Sequence, residues 1–171
     1  MAVMVPNPLE QVYDRHAGAL FAFLLNLTCS EPDTRDLLQE LFLKLARKPG
    51  LLAKAQNERS FLYRTAHNLF IDHYRRKRSR EDRHETASEE ITLLFETPVE
   101  NALDPVEIES ALSQLPEDQR AVLHLKIWEN YTFQQISEVL EISLNTAASR
   151  YRYALDKLRE HLRPVYEQRN D

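Results

Sequence analysis

"TFQQISEVLEISLNTAASRYRYAL", residues 132–155, is the stretch that decides the fold. Thr132 is followed three residues later by Gln135, the spacing of a capping box, so a helix starts at Phe133. Ile136, Val139 and Leu140 then recur at helical spacing, which gives that helix one apolar face. Glu141 to Ser143 forms a turn. Ser143 caps a second helix that runs from Leu144 to about Leu162. Ile136, Val139, Leu140, Ile142 and Ala147 sit where two crossing helices would close a small core. Ser137 and Ala147 are small where the helices would approach closely.

Two short helices with a three-residue turn have the spacing of a helix-turn-helix unit. The second helix offers Asn145, Thr146, Ser149, Arg150 and Arg152 in its N-terminal half. These groups suit base edges and phosphates in a major groove. The plainer alternative is an αα-hairpin with a polar surface. Capping, spacing and basicity together favour DNA.

Working outward, "LDPVEIESAL" starts a helix with Asp104 as cap, Pro105 at the first position and Glu107 completing a box-like start. Pro116 opens another, through about Trp128. Near the N-terminus, Leu9 to Leu27 reads as one helix or two, with Gly18 a possible break. In "SEPDTRD", Asp33 is the expected N-cap and Asp36 adds first-turn negative charge. That helix runs to about Arg47, with Leu37, Leu41 and Leu45 on one stripe and Leu38 and Phe42 on its shoulder. "RKPG" stops it, and residues 51–57 read as a loop. A long helix follows from Glu58 to about Arg78, apolar or aromatic on several sides and so packed on more than one face.

The chain has only two glycines in 171 residues, Gly18 and Gly50, which excludes glycine-rich phosphate loops and disfavours tight hairpins. Helix formers dominate, so the fold class is all-α. The single cysteine, Cys29, can form neither an intrachain disulfide nor a CxxC metal site, consistent with a reducing cytoplasm. The N-terminus has no signal-peptide pattern and no apolar run is long enough for a membrane span, so no membrane insertion and a cytoplasmic location are expected. The six histidines are scattered, and none pairs with a cysteine or carboxylate at ligand spacing. The expectation is a protein that is not an enzyme, with no cofactor and no metal.

The formal net charge of −5 hides three blocks. Residues 59–80 hold seven Arg or Lys against one acid, Asp72, and five of those bases crowd into Arg75–Arg80. Residues 81–109 hold ten acids against one base, Arg83, and residues 144–163 hold five bases against two acids. Residues 81–104 lack periodicity and read as an acidic linker, at least partly flexible, with a short apolar island at Ile91–Phe95. On the long helix, Tyr63, His67, Phe70 and Tyr74 form a stripe near Arg64, Arg75, Arg76 and Lys77. Aromatics interleaved with bases suit single-stranded DNA, whereas aromatic stripes also build cores. Leu69 and Phe70 read as core, and Tyr63 and Tyr74 remain open between the two.

The chain resembles the bacterial RNA polymerase sigma factors of the sigma-70 family, in their extracytoplasmic-function (ECF) group. "DTRDLLQELFLKLAR" is similar to the core-polymerase-binding segment of sigma region 2. "RSFLYRTAHNLFIDHYRRKRS" is similar to that region's promoter-melting and minus-10-reading helix. "LPEDQRAVLHLKIWENYTFQQISEVLEISLNTAASRYRYALDKLREHL" is similar to region 4, which reads the minus-35 element. The resemblance implies two small helical domains: a region 2 bundle over 7–80 and a region 4 helix-turn-helix domain over 106–165, joined by the linker 81–105. It implies that Asp36, Gln39, Glu40 and Phe42 bind core RNA polymerase. It places Gln56, Asn57, Asn68, Asp72, Arg75 and Arg76 on minus-10 promoter DNA, with the loop Lys54–Asn57 capturing a flipped base, and the aromatic stripe adds Tyr63 and Tyr74 to that set as candidates. It places Asn145, Thr146, Ser149, Arg150 and Arg152 on the minus-35 element. An anti-sigma factor is the implied inhibitory partner, and the linker would pass near the polymerase active centre.

The sequence departs from the family pattern at four positions. Glu141 stands where the turn usually has glycine, and a positive φ there would cost roughly 1 kcal/mol. Asn145 replaces another common glycine and is the best non-glycine residue for such a conformation. Ala148 and Tyr153 stand where the family usually carries basic residues, so an altered or weaker minus-35 preference is expected. A stand-alone helix-turn-helix regulator would explain residues 106–163 but not the 33–78 block. A helical adaptor that binds only protein is the third reading.

Overall fold

The structure is a computed structural model and describes residues 7–81 and 104–169. Those residues are helical with no strand among them, the all-α class expected. They fall into two compact units. The first holds α1 (Pro8–Thr28), α2 (Glu31–Arg47), α3 (Gly50–Ala53) and α4 (Glu58–Glu81). The second holds α5 (Pro105–Ser113), α6 (Glu117–Ile127), α7 (Phe133–Leu140) and α8 (Leu144–Arg169). Most of the acidic 81–105 stretch, including Ile91–Phe95, lies outside the described residues.

α1 runs unbroken through Gly18. Gly18 is exposed and a Cβ there would meet nothing within 4 Å, so its missing side chain leaves no packing gap. α1 ends at Cys29, which takes a left-handed φ of 51° and returns its N–H to the Leu25 carbonyl. The N-cap of α2 is Ser30, not Asp33: Ser30 Oγ accepts from the Asp33 N–H at 3.3 Å, and Pro32 occupies the first turn. Asp33 is drawn instead to Lys77 Nζ at 3.0 Å, a partner 44 residues away. The expected loop 51–57 contains the one-turn helix α3. Asn57 then caps α4, its Oδ1 accepting from the Ser60 N–H at 2.9 Å.

The first unit's core follows from spacing. Leu37, Leu41 and Leu45 recur every four residues and bury one face of α2. They meet Leu20, Phe23, Leu24 and Leu27 of α1 and Leu62, Tyr63, Ala66 and Phe70 of α4, all fully or nearly fully buried. Each such large side chain contributes about 1.5–3 kcal/mol by leaving water. Polar contacts pin the ends. Glu58 accepts from His16 Nε2 at 2.7 Å and pairs with Arg15 at 3.2 Å, tying α1 to the start of α4. Burial pushes the Asp33 carboxyl up, but Lys77 and His73 outweigh it and hold it below its ordinary range.

In the second unit, both expected capping boxes form, Asp104 with Glu107 and Thr132 with Gln135. Leu112, Leu115, Leu123 and Ala154 form a core that Ile108, Trp128, Tyr151, Leu155 and Leu158 pack against. Ile136, Val139, Leu140 and Ala147 close the α7–α8 crossing. Glu141 takes φ 56° and ψ 44°, the left-handed conformation that glycine would adopt freely. Asn145 does not: it lies inside the first turn of α8, so it carries no such backbone demand. The start of α8 is capped by Ser143, whose Oγ accepts from the Thr146 N–H at 3.0 Å. α8 continues past Leu162 and through Pro164 to Arg169.

Candidate functional site

Three surfaces carry the residues singled out in the sequence. The first is α2. Asp36, Gln39 and Glu40 are exposed and follow helical spacing on the face opposite the Leu37/Leu41/Leu45 stripe. They line a groove with Leu43, Lys44 and, from α4, Leu69 and Asp72. Phe42 lies on an adjoining groove that shares Gln39 and Leu43 with the first. Its ring meets Tyr13 of α1 edge-on at 4.8 Å, in an apolar groove that also takes in Leu9, Leu38 and Leu43. Tyr13 and Leu43 are 49% and 46% exposed, large apolar groups facing solvent. Neither residue carries a motif of its own in the sequence. Periodicity would have placed Leu43 off the Leu37/Leu41/Leu45 stripe.

The second surface is α4. Asn68, Asp72, Arg75 and Arg76 follow at i, i+4, i+7 and i+8, and all four are exposed on one stripe. The aromatic stripe beside them is mostly core. Tyr63 is 1% exposed, with its ring edge-on to Phe23 at 5.1 Å, so it offers no face to a base. Phe70 is buried too. Tyr74 and His67 are half-buried, each with its ring near Phe70, at 5.7 Å and 6.5 Å. Of the open pair, Tyr63 resolves to core and Tyr74 stays half-buried. Gln56 and Asn57 are exposed before α4, with Asn57 also engaged as its cap. The basic end of the helix is not uniform. Arg76, Lys77 and Arg80 line a cleft with Asp33, Asp36 and Glu40 of α2, and Lys77 is held by Asp33. Arg75 lies outside that cleft.

The third surface is the start of α8. Asn145 and Arg152 are exposed, and Thr146, Ser149 and Arg150 are half-exposed. The hydroxyls are already committed: Thr146 Oγ1 bonds Ser143 Oγ at 2.7 Å, and Ser149 Oγ donates to the Asn145 carbonyl at 2.8 Å. Arg150 Nε pairs with Asp118 Oδ2 of α6 at 3.2 Å. Arg152 lies over the exposed Tyr153 ring at 5.4 Å. Asp118 has no signal in the sequence, because it lies 32 residues from its partner on another helix.

Comparison with known proteins completes the picture. The family model for sigma-70 region 2 matches residues 12–80, and that for sigma-70 region 4 matches residues 111–160. The chain belongs to the sigma-70 family. α1–α4 therefore contain its region 2 and α5–α8 its region 4. The relatives place it in the ECF group of RNA polymerase sigma factors. It is 32% identical over 154 residues to the ECF RNA polymerase sigma factor SigL of Mycobacterium tuberculosis, covering 88% of this chain and 86% of that one. It is 25% identical over 176 residues to the ECF RNA polymerase sigma factor SigX of Bacillus subtilis, covering 95% and 87%. The sigma factor RpoE of Bartonella quintana, solved in complex with the anti-sigma factor NepR, shares the fold. Its TM-score is 0.77 at 22% identity, over 90% of this chain and 95% of that one. No helix among the described residues is long and apolar enough to cross a membrane.

Proposed function

We propose that this ECF sigma factor binds core RNA polymerase and directs promoter-specific initiation by reading a minus-10 element with α4 and a minus-35 element with α8. The single observation that carries the proposal is the pairing of two outward faces in one compact unit. An acidic-polar face on α2 (Asp36, Gln39, Glu40) lies across one groove from the DNA-side residue Asp72 of α4. A stand-alone regulator needs only the second unit. The first unit, which the region 2 match covers, has no use in that reading.

In this mechanism Asp36, Gln39, Glu40 and Phe42 dock on polymerase, with Tyr13 and Leu43 extending the apolar part of the contact. Asn68, Asp72, Arg75 and Arg76, with Gln56, Asn57 and Tyr74, meet the minus-10 strand. The arginines neutralise phosphate, and the half-buried Tyr74 lies beside the unstacked bases. Tyr63 takes no part. Asn145, Arg150 and Arg152 meet the minus-35 element, with Thr146 and Ser149 offering acceptor lone pairs. The domains run over 7–80 and 106–165 with the acidic linker 81–105 between them. The protein acts in the cytoplasm as a specificity subunit without chemistry of its own. An anti-sigma factor holds it inactive, as the complex of RpoE with NepR suggests.

Gel filtration of the purified chain with core polymerase tests this. Co-elution is expected, and the combined D36A, Q39A and E40A variant should weaken it at least tenfold. Specific, tight duplex binding with no co-elution would instead support the stand-alone regulator.

A further inference from the structure

The minus-35 face of α8 is poor in free donors. The Ser149 hydroxyl donates within the helix, and the Thr146 hydroxyl is shared with Ser143. Ala148 carries no polar group. Discrimination among base pairs therefore falls largely on Asn145, Arg150 and Arg152. Of the two arginines, Arg150 is held by a carboxylate. Asp118 Oδ2 accepts from Arg150 Nε at 3.2 Å. The carboxylate is itself fixed, because its other oxygen accepts from the Gln119 backbone N–H at 2.8 Å in the first turn of α6. The arginine side chain is 30% exposed, so part of its surface still reaches solvent.

We infer that Asp118 is a positioning residue for promoter recognition. By binding Nε, it holds the Arg150 guanidinium in one orientation and leaves the two terminal nitrogens to meet a base edge. An arginine that reads guanine bidentately uses two donors in a fixed plane, so fixing that plane sharpens discrimination. The carboxylate also offsets the arginine's charge, which lowers its attraction to phosphate of any sequence. Asp118 thus exchanges general affinity for selectivity. The inference rests on the minus-35 role proposed for α8.

The test uses holoenzyme reconstituted from the full chain and core polymerase. Promoters carry every single substitution across the minus-35 element of a mapped promoter, and transcripts are counted in competition. R150A should erase the preference at one or two adjacent base pairs, a loss of about 5-fold to 100-fold for a bidentate contact. D118A should weaken the preference at those same pairs at least threefold and leave the others within twofold. It should also make transcription less dependent on the minus-35 sequence at low salt. D118N serves if D118A does not fold, judged by the same pattern. A merely structural Asp118 would lower all templates together, and that result overturns the inference. Unchanged preferences in D118A, or in R150A, overturn it as well. Wild-type holoenzyme indifferent to every minus-35 substitution would instead refute the role proposed for α8 itself.

Discussion

Glu141 provides a quantitative check on the helix-turn-helix geometry. It joins α7 to α8 at φ 56° and ψ 44°, and its N–H bonds the Ser137 carbonyl. A residue with a Cβ costs roughly 1–2 kcal/mol in this conformation. Glycine removes that strain but adds freedom to the unfolded chain, worth about 0.4–1 kcal/mol against folding. E141G should therefore stabilise the second unit by about 0.5–1 kcal/mol, which for a domain of this size raises its melting temperature by about 2–8 °C. E141A keeps the Cβ and removes the carboxylate, so it separates backbone strain from any contribution of the charge. It should leave the transition within about 2 °C of wild type, on the same conversion between energy and melting temperature. The assay is thermal unfolding followed by far-UV circular dichroism at fixed pH and salt. A lower melting temperature for E141G, or an equal gain in E141A, would refute the strained left-handed turn.

Other outcomes follow from the remaining geometry. Arg75→Ala with Arg76→Ala should slow open-complex formation on duplex promoters more than on pre-melted ones, measured by the rate of permanganate reactivity, and equal defects would argue against a role in melting. Burial holds His124 below its ordinary pKa, although Glu129 opposes the shift. The folded state then binds that proton less readily than the unfolded state. Stability of the second unit should fall as pH drops below about 6.5, until the folded group also titrates. In H124Q the slope of melting temperature against pH over that window should flatten; an unchanged slope would show that another group controls it.

Much of this architecture is legible in local signals. The capping boxes at Asp104 and Thr132 work within four residues, and the Leu37/Leu41/Leu45 stripe repeats every turn, so both survive into the structure. The helix-turn-helix turn is legible too, with Glu141 at the glycine position adopting the glycine conformation. The misses share a cause. Asp33 looks like a cap, but Ser30 takes that place and Asp33 meets Lys77 across the bundle. Tyr63 belongs to an aromatic stripe in the sequence, yet α4 is wrapped on more than one side and Phe23 covers it. Gly18 leaves one helix or two open in the sequence, and helical neighbours on both sides carry a single α1 through it. The Asp118–Arg150 pair depends on how α6 meets α8, which no local pattern encodes. Single exposed stripes, such as Asn68/Asp72/Arg75/Arg76, are readable because they need only the helix itself.

The most direct measurement is run-off transcription with core polymerase and this chain on a genomic library, with transcript starts mapped. Discrete starts are expected, absent with core alone, that share one sequence element about ten base pairs upstream and another near minus 35. R75A with R76A should depress all of them, and R150A should depress those that depend on the upstream element. Starts indistinguishable from those of core polymerase alone would contradict that expectation.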